Sequence, residues 1–95
     1  MTEEAVKAEG VFEITNELGM HARAAAKLVR LASEFSSVIV LEKDGQRADA
    51  KSVMGVLLLC GQKGATIRVE AEGEDAERAV GAIGGLIRDR FGEDQ

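Results

Sequence analysis

The sequence predicts an α+β fold, a four-stranded antiparallel sheet with three helices on one face, in the order β-α-β-β-α-β-α. Three observations predict it. Short alternating or β-branched segments are interleaved with segments that carry an apolar stripe at helical spacing. Asp44-Gly45 sits between two of the short segments as a two-residue hairpin signal. Each alternating strand hides only one face, so the helices must all cover the same side of the sheet.

Met1 to Glu9 is polar and acidic and reads as a loose lead-in. The first strand is expected over Gly10 to Asn16, with Phe12 and Ile14 on one face and Glu13 and Thr15 on the other. Gly19 ends it. A helix follows from about Ala22 to Ala32, where Ala25, Leu28, Val29 and Ala32 form one apolar stripe and Arg23, Lys27 and Arg30 a basic face. Ser36-Ser37 marks a loop, Val38 to Lys43 a second strand, and Gln46 to Ala50 its return after the hairpin. Ser52 is placed to N-cap a short helix from Val53 to about Leu58, its hydroxyl accepting from a free backbone N–H. Ala65 to Glu72 alternates, with Ile67, Val69 and Ala71 facing in. The last helix runs from about Asp75 to Arg90 on a stripe of Ala76, Val80, Ile83 and Ile87. Its glycines, Gly81, Gly84 and Gly85, each weaken it by up to about 1 kcal/mol unless they permit close packing. The expected organisation is a lead-in over 1–9, a single domain over 10–91 and a tail over 92–95.

With 95 residues, one core and one domain are the expectation. The lone cysteine, Cys60, excludes an intramolecular disulfide and suits a reducing compartment. No segment approaches the roughly 20 apolar residues of a membrane span, and the N-terminus lacks a signal core, so a cytoplasmic protein is expected. A net charge of −5 argues against a nucleic-acid binder. Its distribution is more informative. All 17 acids lie outside two windows, Leu18 to Ser33 and Ala50 to Val69. The single histidine, His21, occupies the first and Ser52 the second.

His21 directly precedes the basic helix. Free N–H groups of the first turn point back toward it, and the macrodipole adds roughly half a positive charge there. Such an end binds phosphate. Helices usually carry an acid in the first turn, yet this one carries Arg23. A bound anion would resolve the mismatch, and arginine grips phosphate with two parallel hydrogen bonds. A neutral imidazole is also a nucleophile able to form a covalent intermediate. A lone histidine at a helix start is most often an ordinary cap or surface residue, and spacing alone leaves both readings open. A metal site on His21 and Cys60 lacks the paired ligand spacing of a structural zinc site, so no metal or other cofactor is expected. A single histidine without a nucleophile–base pair makes a carrier rather than a free-standing enzyme.

Gly19-Met20-His21-Ala22-Arg23-Ala24-Ala25-Ala26-Lys27-Leu28-Val29 resembles the phosphorylation site of the HPr family, the histidine phosphocarriers of the bacterial phosphoenolpyruvate-dependent phosphotransferase system. Ala50-Lys51-Ser52-Val53-Met54-Gly55-Val56 resembles that family's regulatory serine segment, and Val69 to Ala79 resembles its closing stretch. The similarity runs from about Gly10 to Arg90. It implies an HPr-like open-faced β-sandwich. It implies a phosphoryl group accepted from phospho-enzyme I on Nδ1 of His21 and passed, in sugar uptake, to the A domains of sugar-specific enzyme II proteins. Arg23 would neutralise the phosphate and the amides of Ala22 and Arg23 would cradle it. Met20, Lys27, Arg30, Lys51, Val53, Met54 and Leu57 would form a docking surface for acidic partners, working as a monomer. Ser52 would be the target of HPr kinase/phosphorylase, a phosphate there adding negative charge to the docking face. One departure is Ala24, where the family usually has proline. It leaves open a nitrogen-regulatory relative with the same chemistry and different partners. A regulatory binding module acting through Ser52 is the other reading.

Overall fold

In the computed structural model, which describes residues 6–59 and 61–95, the chain runs β1 (Lys7–Glu13), α1 (Ala22–Ala32), β2 (Val38–Lys43), β3 (Gln46–Asp49), α2 (Val53–Leu58), β4 (Thr66–Glu72) and α3 (Ala76–Arg88), closing with a 3-10 turn at Arg90–Gly92. This is the expected element order with one short turn added. The strands form a single antiparallel sheet in the order β1-β4-β2-β3. Helix α3 packs on β1 and β4, α1 on α3, and α2 on α1 and β3, an open-faced sandwich.

The strand β1 starts and ends earlier than the alternation suggests. Lys7, Ala8 and Glu9, expected in the lead-in, pair with Glu72, Ala71 and Glu70. Ile14 lies beyond the strand but stays in the ladder's line, its amide donating to Ala65 O at 2.9 Å, and its side chain is buried. Asp44 and Gly45 turn the β2–β3 hairpin at φ 51° and 82°, the positive φ pair of a type I′ turn. In β4, Ile67, Val69 and Ala71 face the core as the alternation requires.

The core runs between the covered sheet face and the helices. Ile39, Leu41, Ile67 and Val69 meet Leu28 of α1, Val56 of α2, and Ile83 and Ile87 of α3 in one buried cluster. Phe12 lies in a slot between two glycines. A Cβ on Gly84 would stand 2.2 Å from its ring, and one on Gly10 2.8 Å. Gly84 therefore permits close packing of α3 on β1, whereas Gly81 and Gly85 have no neighbour within 4 Å of an added Cβ.

Past α3, Arg90 and Phe91 adopt φ 56° and 55°, and Gly92 φ 78°. These positive angles reverse the chain and drive Phe91 into the core, where it is fully buried. Gly92, the first residue of the expected tail, closes the 3-10 turn, and Glu93 is hydrogen-bonded to Asn16.

Candidate functional site

His21 is the N-cap of α1, with extended backbone (φ −86°, ψ 177°) and its carbonyl accepting from Ala25 N at 2.8 Å. Its side chain makes no cap hydrogen bond, and the first turn holds no acid. The first-turn amides, including those of Ala22 and Arg23, thus have no intrahelical acceptor. The loop before α1 is fixed from below. Met20 N donates to Gly61 O at 2.6 Å, and Gly19 N to Asn16 O at 3.1 Å. Gly19 has φ 62°, and a Cβ there would meet Gly61 O at 2.5 Å, so only glycine fits this crossing.

The imidazole is not free at both nitrogens. Nε2 of His21 is hydrogen-bonded to Oε2 of Glu93, with the two side chains 23% and 16% exposed. Fully buried Asn16 donates Nδ2 to Glu93 Oε1 at 3.1 Å and to Gly19 O at 2.8 Å. Two acceptors on one nitrogen fix the orientation of this amide. The contact to the His21 ring, and then that to Asn16, hold the Glu93 carboxyl below its usual range against the opposing effect of burial. Sequence reasoning missed Glu93 and Asn16. Glu93 lies 72 residues from His21, in a segment without periodicity.

The expected cations divide into two pairs. Arg23 and Arg30 are exposed, and neither takes part in an ion pair among the described residues. Lys27 and Lys51 are partly buried and hold backbone. Lys27 Nζ donates to Phe91 O at 2.7 Å, and Lys51 Nζ to Phe35 O at 2.8 Å. Ser52 caps α2 as expected, its Oγ accepting from Gly55 N at 3.1 Å.

On α2, Val53, Met54 and Leu58 are exposed, Met54 at 68% and Leu58 at 70%, while Leu57 is partly buried against the core. Met20, expected on the docking surface, is instead a core residue only 7% exposed. Its amide is tied to Gly61 O, which turns the side chain inward. Leu18, not singled out in the sequence, is 71% exposed and shares a shallow cleft with Leu57 and Lys63. A leucine in a turn gives no periodic signal by which to find it. The partner ligand of the metal reading, Cys60, lies outside the described residues. Among the described residues no three potential metal ligands cluster, and no helix is long and apolar enough to cross a membrane.

The chain is similar to known phosphocarrier proteins. A family model described as the PTS HPr component phosphorylation site matches residues 8–89. Phosphocarrier protein HPr of Cupriavidus necator is 46% identical over 80 residues, covering 84% of this chain and 90% of the relative. Phosphocarrier protein NPr of Escherichia coli K12 is also 46% identical, over 83 residues, covering 86% and 92%. The crystal structure of HPr-C-His from Thermoanaerobacter tengcongensis matches with a TM-score of 0.89 at 44% identity, covering 93% of this chain and 99% of its own.

Proposed function

The chain belongs to the HPr family of phosphotransferase-system phosphocarriers, and from that premise we propose that His21 is its phosphoryl-carrying residue. The observation that carries this reading is the start of α1. A solvent-accessible imidazole stands at a helix N-terminus whose amides are unused and whose first turn holds arginine and no acid. Nδ1 of His21 is the nucleophile, because Nε2 is occupied by Glu93. The incoming phosphoryl group is held by the amides of Ala22 and Arg23 and by the Arg23 guanidinium. The donor is phospho-enzyme I and the acceptors are enzyme II A domains, in the cytoplasm. They dock on Arg23, Arg30 and the apolar side chains of Val53, Met54 and Leu57, with Lys27 and Lys51 adding charge behind them. Charge complementarity at such a face mainly raises encounter rate and specificity.

Ser52 is the regulatory position of this reading. A phosphate on its hydroxyl would interrupt the bond from Gly55 N and place about two negative charges on the docking face. An acidic partner would then be repelled. HPr kinase/phosphorylase is the proposed modifying enzyme.

A nitrogen-regulatory role is a second reading, favoured by a specific observation: the identity to an NPr equals that to an HPr, 46% in each case. Partners, not chemistry, separate the two. The test is to incubate the protein with phosphoenolpyruvate and either a sugar-type or a nitrogen-type enzyme I, and to measure intact mass. The expected result is one acid-labile phosphate from one of the two donors, absent in His21→Ala. No labelling by either donor would sink the carrier reading and leave a binding module acting through Ser52.

A further inference from the structure

A carboxylate beside the atom that must receive a dianion is an electrostatic liability, and the fold goes to some length to place one there. Three contacts bring Glu93 to His21. Phe91 is fully buried two residues before it. Lys27 Nζ grips the Phe91 carbonyl at 2.7 Å. The amide of buried Asn16 holds Oε1 of Glu93 at 3.1 Å, leaving Oε2 to face the imidazole. The backbone leading to Glu93 runs through two non-glycine residues at positive φ, Arg90 and Phe91, a conformation that L side chains disfavour.

We propose that Glu93, aimed by Asn16, is a positioning residue for His21 that keeps the proton on Nε2 and the lone pair on Nδ1. This inference rests on the phosphocarrier reading above. An ionised carboxylate can only accept, so the ring must donate through Nε2–H, and a neutral ring then has its lone pair on Nδ1. That nitrogen is the nucleophile. In the transfer, the Nδ1 lone pair forms the new P–N bond, and the bond from phosphorus to the donor's nitrogen breaks with its electron pair remaining on the donor. The Nε2–H stays in place, so the phosphorylated ring carries a positive charge beside the Glu93 carboxylate. No proton has to move during the step. The carboxylate thus opposes the phosphate weakly across the ring and supports the cationic ring directly. Glu93 holds Nε2 and the phosphoryl group bonds to Nδ1, the other nitrogen of the ring, which is what makes both statements compatible.

The test uses the full chain with ¹⁵N-labelled histidine, wild type beside Glu93→Ala and Glu93→Gln. Nitrogen chemical shifts of the neutral ring report the tautomer without any phosphoryl donor. The wild type is expected to show the Nε2–H form alone and Glu93→Ala a mixture of both forms. Glu93→Gln has one oxygen for two donors: with Asn16 holding that oxygen, its amide N–H faces the ring and donates to Nε2, which should shift the ring toward the Nδ1–H form. Phosphorylation by enzyme I is expected to fall on the order of tenfold in kcat for Glu93→Ala with little change in KM, by analogy with groups that orient a metal-bound imidazole through its second nitrogen. Glu93→Gln should lose at least as much, because the proton is then on Nδ1, the nitrogen that must attack. An unchanged tautomer ratio in Glu93→Ala overturns the proposal, as does an unchanged kcat. The two ideas fail separately. A wild type that no enzyme I labels removes the carrier reading, while the nitrogen shifts still decide what Glu93 does to the ring.

Discussion

Asp75 closes a loop with one side chain. Its carboxylate accepts from Ser36 N at 2.9 Å, from Ser37 N at 3.0 Å, and from the Ser37 hydroxyl, tying the turn before β2 to the start of α3. The Ser37 hydroxyl bond, then the backbone donors, lower its pKa from 3.8 to about 2. The folded state therefore binds its proton less readily than the unfolded chain does. The stabilisation is complete above the unfolded value of 3.8 and disappears as pH falls through about 2. Thermal midpoints of wild type and Asp75→Asn, measured from neutral pH downward, should stay apart by a constant gap until near pH 4. Below that the gap should close. A gap independent of pH would mean that shape, not charge, holds the loop. The sequence showed Asp75 only as a helix start. Its real partners are 38 and 39 residues away, and no local pattern encodes them. The placements of His21, Arg23 and Ser52 were readable because they are local: a helix N-terminus without acids, and a hydroxyl one residue ahead of a short helix.

Helix and strand boundaries follow the same division. In β4 the alternation is complete because both neighbours cover it and one face is in the core. In β1, an edge strand, Lys7 and Glu9 are exposed and only the small side chain of Ala8 turns toward the core, so the apolar trace there is faint and the strand begins before the pattern does. The glycines of α3 show how far composition goes. All three look alike in sequence, yet one sits on the Phe12 ring and two face open space. Gly84→Ala should destabilise the protein by about 1 kcal/mol, since overpacking of roughly 1–3 kcal/mol outweighs the better helix propensity. Gly81→Ala and Gly85→Ala should each add about 0.5–1 kcal/mol of stability. Urea unfolding of the three variants separates them by sign. A stabilised Gly84→Ala would mean that the Phe12 ring shifts aside freely, and that Gly84 does not set the distance between α3 and β1.

Across the whole molecule, the C-terminal reversal joins stability to the site. Phe91 is the largest fully buried side chain, and it stands between the end of α3 and the carboxylate on His21. Its carbonyl is the acceptor for Lys27 of α1, so the same residue links the last turn to the helix that carries the histidine. Removing the ring should cost about 3–5 kcal/mol, as truncation of a buried phenylalanine does. That is a large part of the 5–15 kcal/mol typical of a whole domain. Phe91→Ala should therefore unfold at much lower urea, and while still folded it should release Glu93. Its His21 nitrogen shifts should then show the mixed tautomers expected of Glu93→Ala, although no group touching the ring has changed. Phe91→Leu, which keeps most of the volume, should restore both properties together. If the tautomer stayed fixed while stability fell, Asn16 alone would be enough to hold Glu93 in place, and the buried ring would serve the fold without serving the site.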